Sequence, residues 1–384
     1  MTNTHPQFDI LGLTVALSPE KLAELKTHFK HVYYYPLDGK EELPKEAAAE
    51  VDVWYCNWLG IPEYIKYEDV PNLKLVQLTS AGAALALKSS VLSGKEAQEN
   101  IIISSASGIH STTIPQWIIA QIITLYQQLH LQNFNHRTNQ VWTRNIPQLP
   151  EYHTQGFGRS LYGKTAGLLG YGHIARETAR LLKAFNVNVI AANSKGDKRV
   201  DDGYIIPGTG DVEGDIPSAY YSTTDKESFK TFLGKSDILI ASLPSTPQTQ
   251  WLLGEEEFAL FPPGAIFINV GRGDLVKSGT PPPFPSPPSD CTPNYSLSAE
   301  TILSALSSSH LSGAALDVTD PEPLPPQHPL YTHPRVVVTA HTSSNMEGLG
   351  YYDAGADLLI DNVRRVREGG RGRAINQVDV DKGY

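Results

Sequence analysis

Four short stretches in the second half of the chain place reactive or ligand-gripping residues where an apolar run ends. The first is Lys164-Thr165-Ala166-Gly167-Leu168-Leu169-Gly170-Tyr171-Gly172-His173-Ile174-Ala175, an apolar strand running through Gly170-x-Gly172-x-x-Ala175 into a helix. Gly170 permits a tight turn, Gly172 lets a pyrophosphate approach the backbone, and a small Ala175 allows close helix–strand packing. Phosphates would face free N–H groups and the positive dipole end of that helix. A glycine triplet also occurs in plain strand-to-helix turns. The strand before it, the helix after it and a second such unit favour a dinucleotide.

The second stretch, Ile268-Asn269-Val270-Gly271-Arg272-Gly273-Asp274, pins an arginine between glycines at a strand end. Its guanidinium can grip a carboxylate bidentately, as binding a 2-keto acid requires; a structural salt bridge is the plainer alternative. The third runs Leu316-Asp317-Val318-Thr319-Asp320-Pro321-Glu322-Pro323, with Glu322 between prolines. The fourth, Val336-Val337-Val338-Thr339-Ala340-His341, ends a strand on a histidine. A lone histidine is more often structural, and the chain has twelve. His341 stands out by its company of a carboxylate and an arginine from neighbouring strand ends. Hydride reduction of a ketone needs one proton donor near neutral pH, and a Glu–His pair supplies it.

The residue ending the strand after the glycine turn discriminates between dinucleotides, because a carboxylate there binds ribose hydroxyls and repels a 2′-phosphate. Here Val189-Ile190-Ala191-Ala192 leads into Asn193-Ser194-Lys195, with no acid. The expectation is a preference for NADP(H) over NAD(H); a solvated loop with incidental lysines would look the same.

These strand ends need a scaffold. Short β-branched runs alternate with amphipathic stretches, the pattern of parallel sheets with crossover helices. The first series covers residues 10–17, 32–35, 51–56, 73–78 and 101–104. The second covers 166–169, 187–192, 237–243, 265–270, 313–317 and 336–340. The expected fold is α/β, with two Rossmann-like or flavodoxin-like domains and the active site in the interdomain cleft. A discontinuous substrate domain would comprise 1–110 and 341–384, and the dinucleotide-binding domain 111–340. Ser18-Pro19-Glu20 opens a helix. Ile114–Gln128 is apolar almost all round, which predicts a buried helix, plausible at a domain or dimer interface. Residues 346–368 form another helix, stopped by Gly369-Gly370, that returns to the first domain. Residues 196–225 and 278–298 look like insertions. The second contains Pro-Pro-Pro-Phe-Pro-Ser-Pro-Pro, either a polyproline II segment or an ordinary surface loop.

The chain has 384 residues, enough for two cores, and 40% of them are hydrophobic. A net charge of −10 without any basic stripe excludes nucleic acid as a partner. Two distant cysteines, Cys56 and Cys291, fit a reducing compartment and provide no metal-ligand spacing. There is no signal peptide at the N-terminus and no apolar run long enough to span a bilayer, so a soluble, cytoplasmic protein is expected, with no membrane partner and no metal.

Taken together, Leu73–Ala84, Gly163–Arg176, Leu243–Thr249, Pro263–Val276, Gly313–Leu324 and Val336–His341 resemble the D-isomer-specific 2-hydroxyacid dehydrogenases, in that family's order. The resemblance implies reversible reduction of a 2-keto acid to a D-2-hydroxy acid by a homodimer. It implies that Arg272 orients the substrate, Glu322 tunes the histidine and His341 is the acid/base. Backbone N–H groups of Ser80, Ala81 and Gly82 would help bind the substrate carboxylate. Gly170, Tyr171, Gly172, His173, Ile174, Asn193, Ser194, Lys195, Pro244 and Val270 would contact the cofactor, and Asp317 its nicotinamide amide. Tyr55, Asn57 and Trp58 lie where that family often meets the substrate side chain, though packing at the domain edge explains them equally. A dinucleotide-sensing binding protein, like the C-terminal-binding-protein corepressors that share this resemblance, is the rival; the absence of a basic tract tilts against it. Formate dehydrogenase, which pairs its histidine with glutamine, is disfavoured by Glu322.

Overall fold

The computed structural model describes residues 8–37, 39, 41–144, 158–277, 298–380 and 383. The proline-rich run at 281–288 lies outside them. The chain forms two compact units. One comprises Met1–His110, Asp202–Pro207 and Asn345–Tyr384; the other comprises Ser111–Asp201 and Gly208–Ser344.

The first unit is built on strands β1 (Ile10–Leu13), β2 (His31–Tyr34), β3 (Val53–Cys56), β4 (Leu75–Leu78) and β5 (Ile102–Ser104), ordered β2-β1-β3-β4-β5. All pairings are parallel. Every residue of β3 and β4 is buried, as strands covered on both faces require. Trp54, Val76 and Leu78 face one apolar cluster; Val53, Tyr55 and Leu75 face another. The helix Gly350–Gly369 closes the second face with Ala356, Leu359, Val363 and Val366. Pro19–His28 begins as its sequence predicts, with Ser18 Oγ accepting the Lys21 N–H at 3.1 Å and Pro19 in the first turn.

The second unit carries β6 (Thr165–Leu169), β7 (Asn188–Asn193), β8 (Tyr220–Ser222), β9 (Ile238–Ala241), β10 (Ala265–Asn269), β11 (Leu311–Leu316) and β12 (Val336–Val338). Its order is β12-β11-β10-β9-β6-β7-β8, all parallel. Strand order reverses at β6, the switch point where doubly wound sheets bind ligands beyond their carboxyl edge. The helix Ile114–Tyr126 buries Ile118, Ile122 and Leu125, spaced four and three residues apart, against this sheet. Trp117, Ile119 and Ile123 stay half-exposed. The helix is therefore one-sided within its unit, packed on the sheet and on the helix His173–Lys183 and not enclosed all round.

The insertion after β7 has no sequence period yet is ordered from both ends. Its last residues form β8, and Asp202–Pro207 belongs to the first unit, where Tyr204 packs beside Ala106, Ile109, Leu358 and Ile375. The expected boundaries put that segment in the dinucleotide-binding stretch and His341 to Ser344 in the substrate domain. No helix among the described residues is long and apolar enough to cross a membrane.

Candidate active site

Because β6, β7, β9, β10, β11 and β12 run parallel, the residues that follow them gather at one edge of the second unit. After β6, Gly170 adopts φ +91°, and a Cβ there would stand 2.9 Å from Leu243 Cδ2. Gly172 begins the helix His173–Lys183 without any side-chain cap. A Cβ on Gly172 would meet nothing within 4 Å, so the first turn of the helix stands open with its backbone donors uncovered. This cradle fits a pyrophosphate. The Tyr171 side chain is not part of it: its hydroxyl donates to Asp211 Oδ2 at 2.6 Å, and burial together with that bond pushes the phenol's pKa up. His173 Nε2 lies 3.2 Å from Asp201 Oδ1.

Sequence reading overlooked Arg176, which is buried and anchors the insertion to this helix. It donates to the carbonyls of Tyr171 (3.1 Å), Arg199 (2.7 Å) and Asp211, and its guanidinium covers the Tyr171 ring. Glu177, also buried, accepts the Gly210 N–H at 2.7 Å. Burial of charged residues on a surface-helix pattern was the available signal, but only the docked loop reveals it.

After β7, Asn193 spends both ends of its amide on its own loop. Oδ1 accepts the N–H groups of Lys195 (3.0 Å) and Gly196 (2.8 Å), and Nδ2 donates to Asp197 O (2.8 Å). Ser194 and Lys195 are exposed, while Lys198 is paired with Asp215. After β9, Pro244 is exposed and its carbonyl accepts the Thr249 hydroxyl.

After β10, Asn269 folds a turn that sequence reading did not foresee. Its buried side chain accepts the Gly271 N–H (3.0 Å) and donates to Arg272 O (2.9 Å). Val270 is buried. The flanking glycines have a packing cause: a Cβ on Gly271 would lie 2.5 Å from Leu243 O, and one on Gly273 2.0 Å from the Thr319 carbonyl carbon. Backbone from β9 and β11 therefore presses on both sides of Arg272. The Arg272 side chain is exposed, donates to Gly271 O at 2.7 Å, and has no carboxylate partner among the described residues.

After β12, His341 takes a left-handed backbone at φ +53°, and its Nδ1 meets Glu322 Oε1 at 2.6 Å. Asp317, the residue after β11, is 2% exposed. Its carboxylate accepts from Thr339 Oγ1 (2.5 Å), Thr342 N–H (2.9 Å), Ser343 N–H (3.1 Å) and the Ser343 hydroxyl.

The first unit holds its own candidates past the carboxyl ends of β3 and β4. The Ser80 hydroxyl donates to Gly82 O at 2.6 Å, and the N–H groups of Ser80, Ala81 and Gly82 have no acceptor among the described residues. Tyr55 is fully buried and donates to Tyr352 O, so it packs rather than lining a surface. Asn57 caps its own turn through Leu59 N–H, and Trp58 is 47% exposed.

Comparison with known proteins matches residues 119–280 and 296–343 to the family model described as D-isomer specific 2-hydroxyacid dehydrogenase, NAD binding domain. A glyoxylate reductase of Thermofilum pendens is 28% identical over 274 residues, 71% of this chain and 66% of that protein. A glyoxylate reductase of Aeropyrum pernix is 33% identical over 187 residues, 49% of this chain and 44% of that protein. The chain thus spans less than two thirds of either reductase. Among solved structures, the NADPH-dependent glyoxylate/hydroxypyruvate reductase of Sinorhizobium meliloti, in complex with NADP and sulfate, superposes with a TM-score of 0.69 at 21% identity. That match covers 98% of this chain and 100% of the other. The family model takes in the glycine turn and the Arg272 turn in its first matched stretch and Glu322 and His341 in its second, together more than half the chain, and the chain belongs to the D-isomer specific 2-hydroxyacid dehydrogenase family.

Proposed function

We propose that this protein reduces a 2-keto acid to a D-2-hydroxy acid, with NADPH preferred over NADH. The observation that carries the reading is the 2.6 Å pairing of His341 Nδ1 with Glu322, beside an arginine left without a carboxylate partner. With Nδ1 committed to the carboxylate, Nε2 is the nitrogen free to hold a transferable proton. Arg272 grips the substrate carboxylate, and the N–H groups of Ser80, Ala81 and Gly82, without an acceptor among the described residues, suit an anion. The open helix start at Gly172 would hold the pyrophosphate of a nicotinamide dinucleotide, which would supply the hydride when bound. His341 gives its proton to the carbonyl oxygen as charge develops there, and Glu322 fixes the ring through Nδ1.

The preference for the phosphorylated cofactor rests on the loop after β7. Positions 193 to 195 hold no carboxylate to repel a 2′-phosphate, and the exposed Ser194 and Lys195 can meet one. Asn193, whose amide is taken by its own loop, shapes that surface without reading it. The half-exposed Trp117, Ile119 and Ile123 suit the contact face of a homodimer, which we place in the cytosol.

The test is kcat/KM for glyoxylate, hydroxypyruvate and bulkier 2-keto acids with each reduced cofactor. Turnover of at least one acid, with a preference for NADPH of about tenfold or more that Lys195→Ala erases, is the expected result; one charge-assisted contact is worth about that much. Binding of cofactor without any turnover would leave a dinucleotide-sensing protein instead.

A further inference from the structure

We propose that Asp317 is a positioning residue for His341: its buried carboxylate holds the 339–343 turn in the conformation that sets the imidazole against Glu322. The inference rests on the reductase reading above, in which His341 donates the proton. A left-handed backbone at a non-glycine residue persists only where the surroundings impose it, and His341 sits at φ +53°. What imposes it is visible on both sides. Thr339 Oγ1 is bonded to Asp317 ahead of the histidine, and Thr342 N–H, Ser343 N–H and the Ser343 hydroxyl are bonded to it behind. The histidine's own N–H donates to Asp317 O at 2.9 Å. Asp317 is itself tied back to the Arg272 turn, its N–H donating to Asn269 O at 3.0 Å. A carboxylate offers about four acceptor sites, and four donors converge on this one at 2% exposure. A buried carboxylate is tolerated only when so satisfied. The arrangement commits Asp317 to the turn and leaves little of it for a bound cofactor's amide.

The experiment uses the full chain with Asp317→Ala and Asp317→Asn. Amide hydrogen exchange at Thr342 and Ser343 should speed by about tenfold or more in the alanine variant, as expected when a net hydrogen bond is lost. In the asparagine variant the increase should be smaller, since the amide oxygen keeps one acceptor. With the best 2-keto acid, kcat should fall roughly 10²-fold in Asp317→Ala, the scale for a catalytic group misplaced by about an ångström. Asp317→Asn should recover part of that loss. KM for the keto acid and the Kd of NADPH, read by fluorescence titration, should stay within about threefold, because neither ligand's own contacts are removed. Wild-type exchange rates in both variants would overturn the proposal. So would a Kd for NADPH that rises in step with the fall in kcat, which puts Asp317 on the cofactor. If Asp317→Ala does not fold, Asp317→Asn decides: wild-type kcat and wild-type exchange there also overturn it. A native enzyme that reduces no 2-keto acid sinks the reductase reading, yet the exchange measurement still shows whether Asp317 holds the turn.

Discussion

At the scale of single residues, the site consists of a histidine, a carboxylate and a cation on three neighbouring strand ends, each held by a different device. His341 is held by hydrogen bonds to Asp317 on both of its flanks, Glu322 by its loop, and Arg272 by close backbone packing around two glycines. His341→Asn removes the transferable proton while keeping a polar side chain that tolerates the left-handed region. Turnover of the keto acid should fall by roughly 10²–10⁴-fold, the usual worth of a general acid. Cofactor binding should be nearly unchanged, since the Gly172 cradle lies after a different strand. Steady-state rates with a parallel cofactor titration check this, and a variant with near-native turnover would remove His341 from its role.

At the scale of elements, the recurring theme is that a polar side chain at the end of a strand shapes a loop at the same edge of the sheet. Asn269 does so for Arg272, Asp317 for the 339–343 turn and Asn193 for the cofactor loop. Asn269→Ala strips the Gly271–Arg272 turn of both its side-chain bonds. Leaving buried backbone groups unsatisfied costs about 1–3 kcal/mol. The expected outcome is a protein less stable by that amount, with KM for the keto acid raised about tenfold and kcat lowered less, because the arginine proposed to grip the substrate loses its bearing while the proposed proton donor keeps its own. Denaturant titration and steady-state kinetics read the two effects separately. A lowered kcat at unchanged KM would mean that Arg272 does not bind the substrate's ground state.

At the scale of the whole molecule, the insertion after β7 is the feature that sets this chain apart from a bare doubly wound sheet. It is not loosely attached: Arg176 and Glu177, both buried, bind its backbone at Arg199, Gly210 and Asp211, and Tyr171 bonds the Asp211 carboxylate. Arg176→Ala leaves several carbonyls without donors, a cost of about 1–3 kcal/mol for each that is kept from water. The insertion should then become a preferred site of proteolysis between residues 199 and 216 while β6 and its glycine turn stay protected. Limited proteolysis with mass spectrometry checks it; cleavage no faster than in the native chain would show that the arginine is not the anchor.

Legible in the sequence alone are the features set by local covalent and periodic rules. Gly170 is needed for its positive φ. Continuous apolar runs mark strands buried on both faces, and Ser18-Pro19 starts a helix wherever it is placed. That Arg272, Glu322 and His341 follow neighbouring strands also comes from sequence, since parallel strands deliver their following residues to one edge. Only the tertiary structure decides what depends on atoms distant in the chain. Gly271 and Gly273 are small because backbone from Leu243 and Thr319 presses on them, a contact no spacing encodes. Asp317 faces the turn 22 to 26 residues later, so its partners could not be read from its own stretch. Arg176 shows no local sign of burial until the insertion folds over it, and which face of the helix Ile114–Tyr126 is buried depends on the sheet and the helix His173–Lys183 that it packs against. Local rules choose the elements; the directions of buried hydrogen bonds and the limits of close packing choose which side chain each element can spare for chemistry.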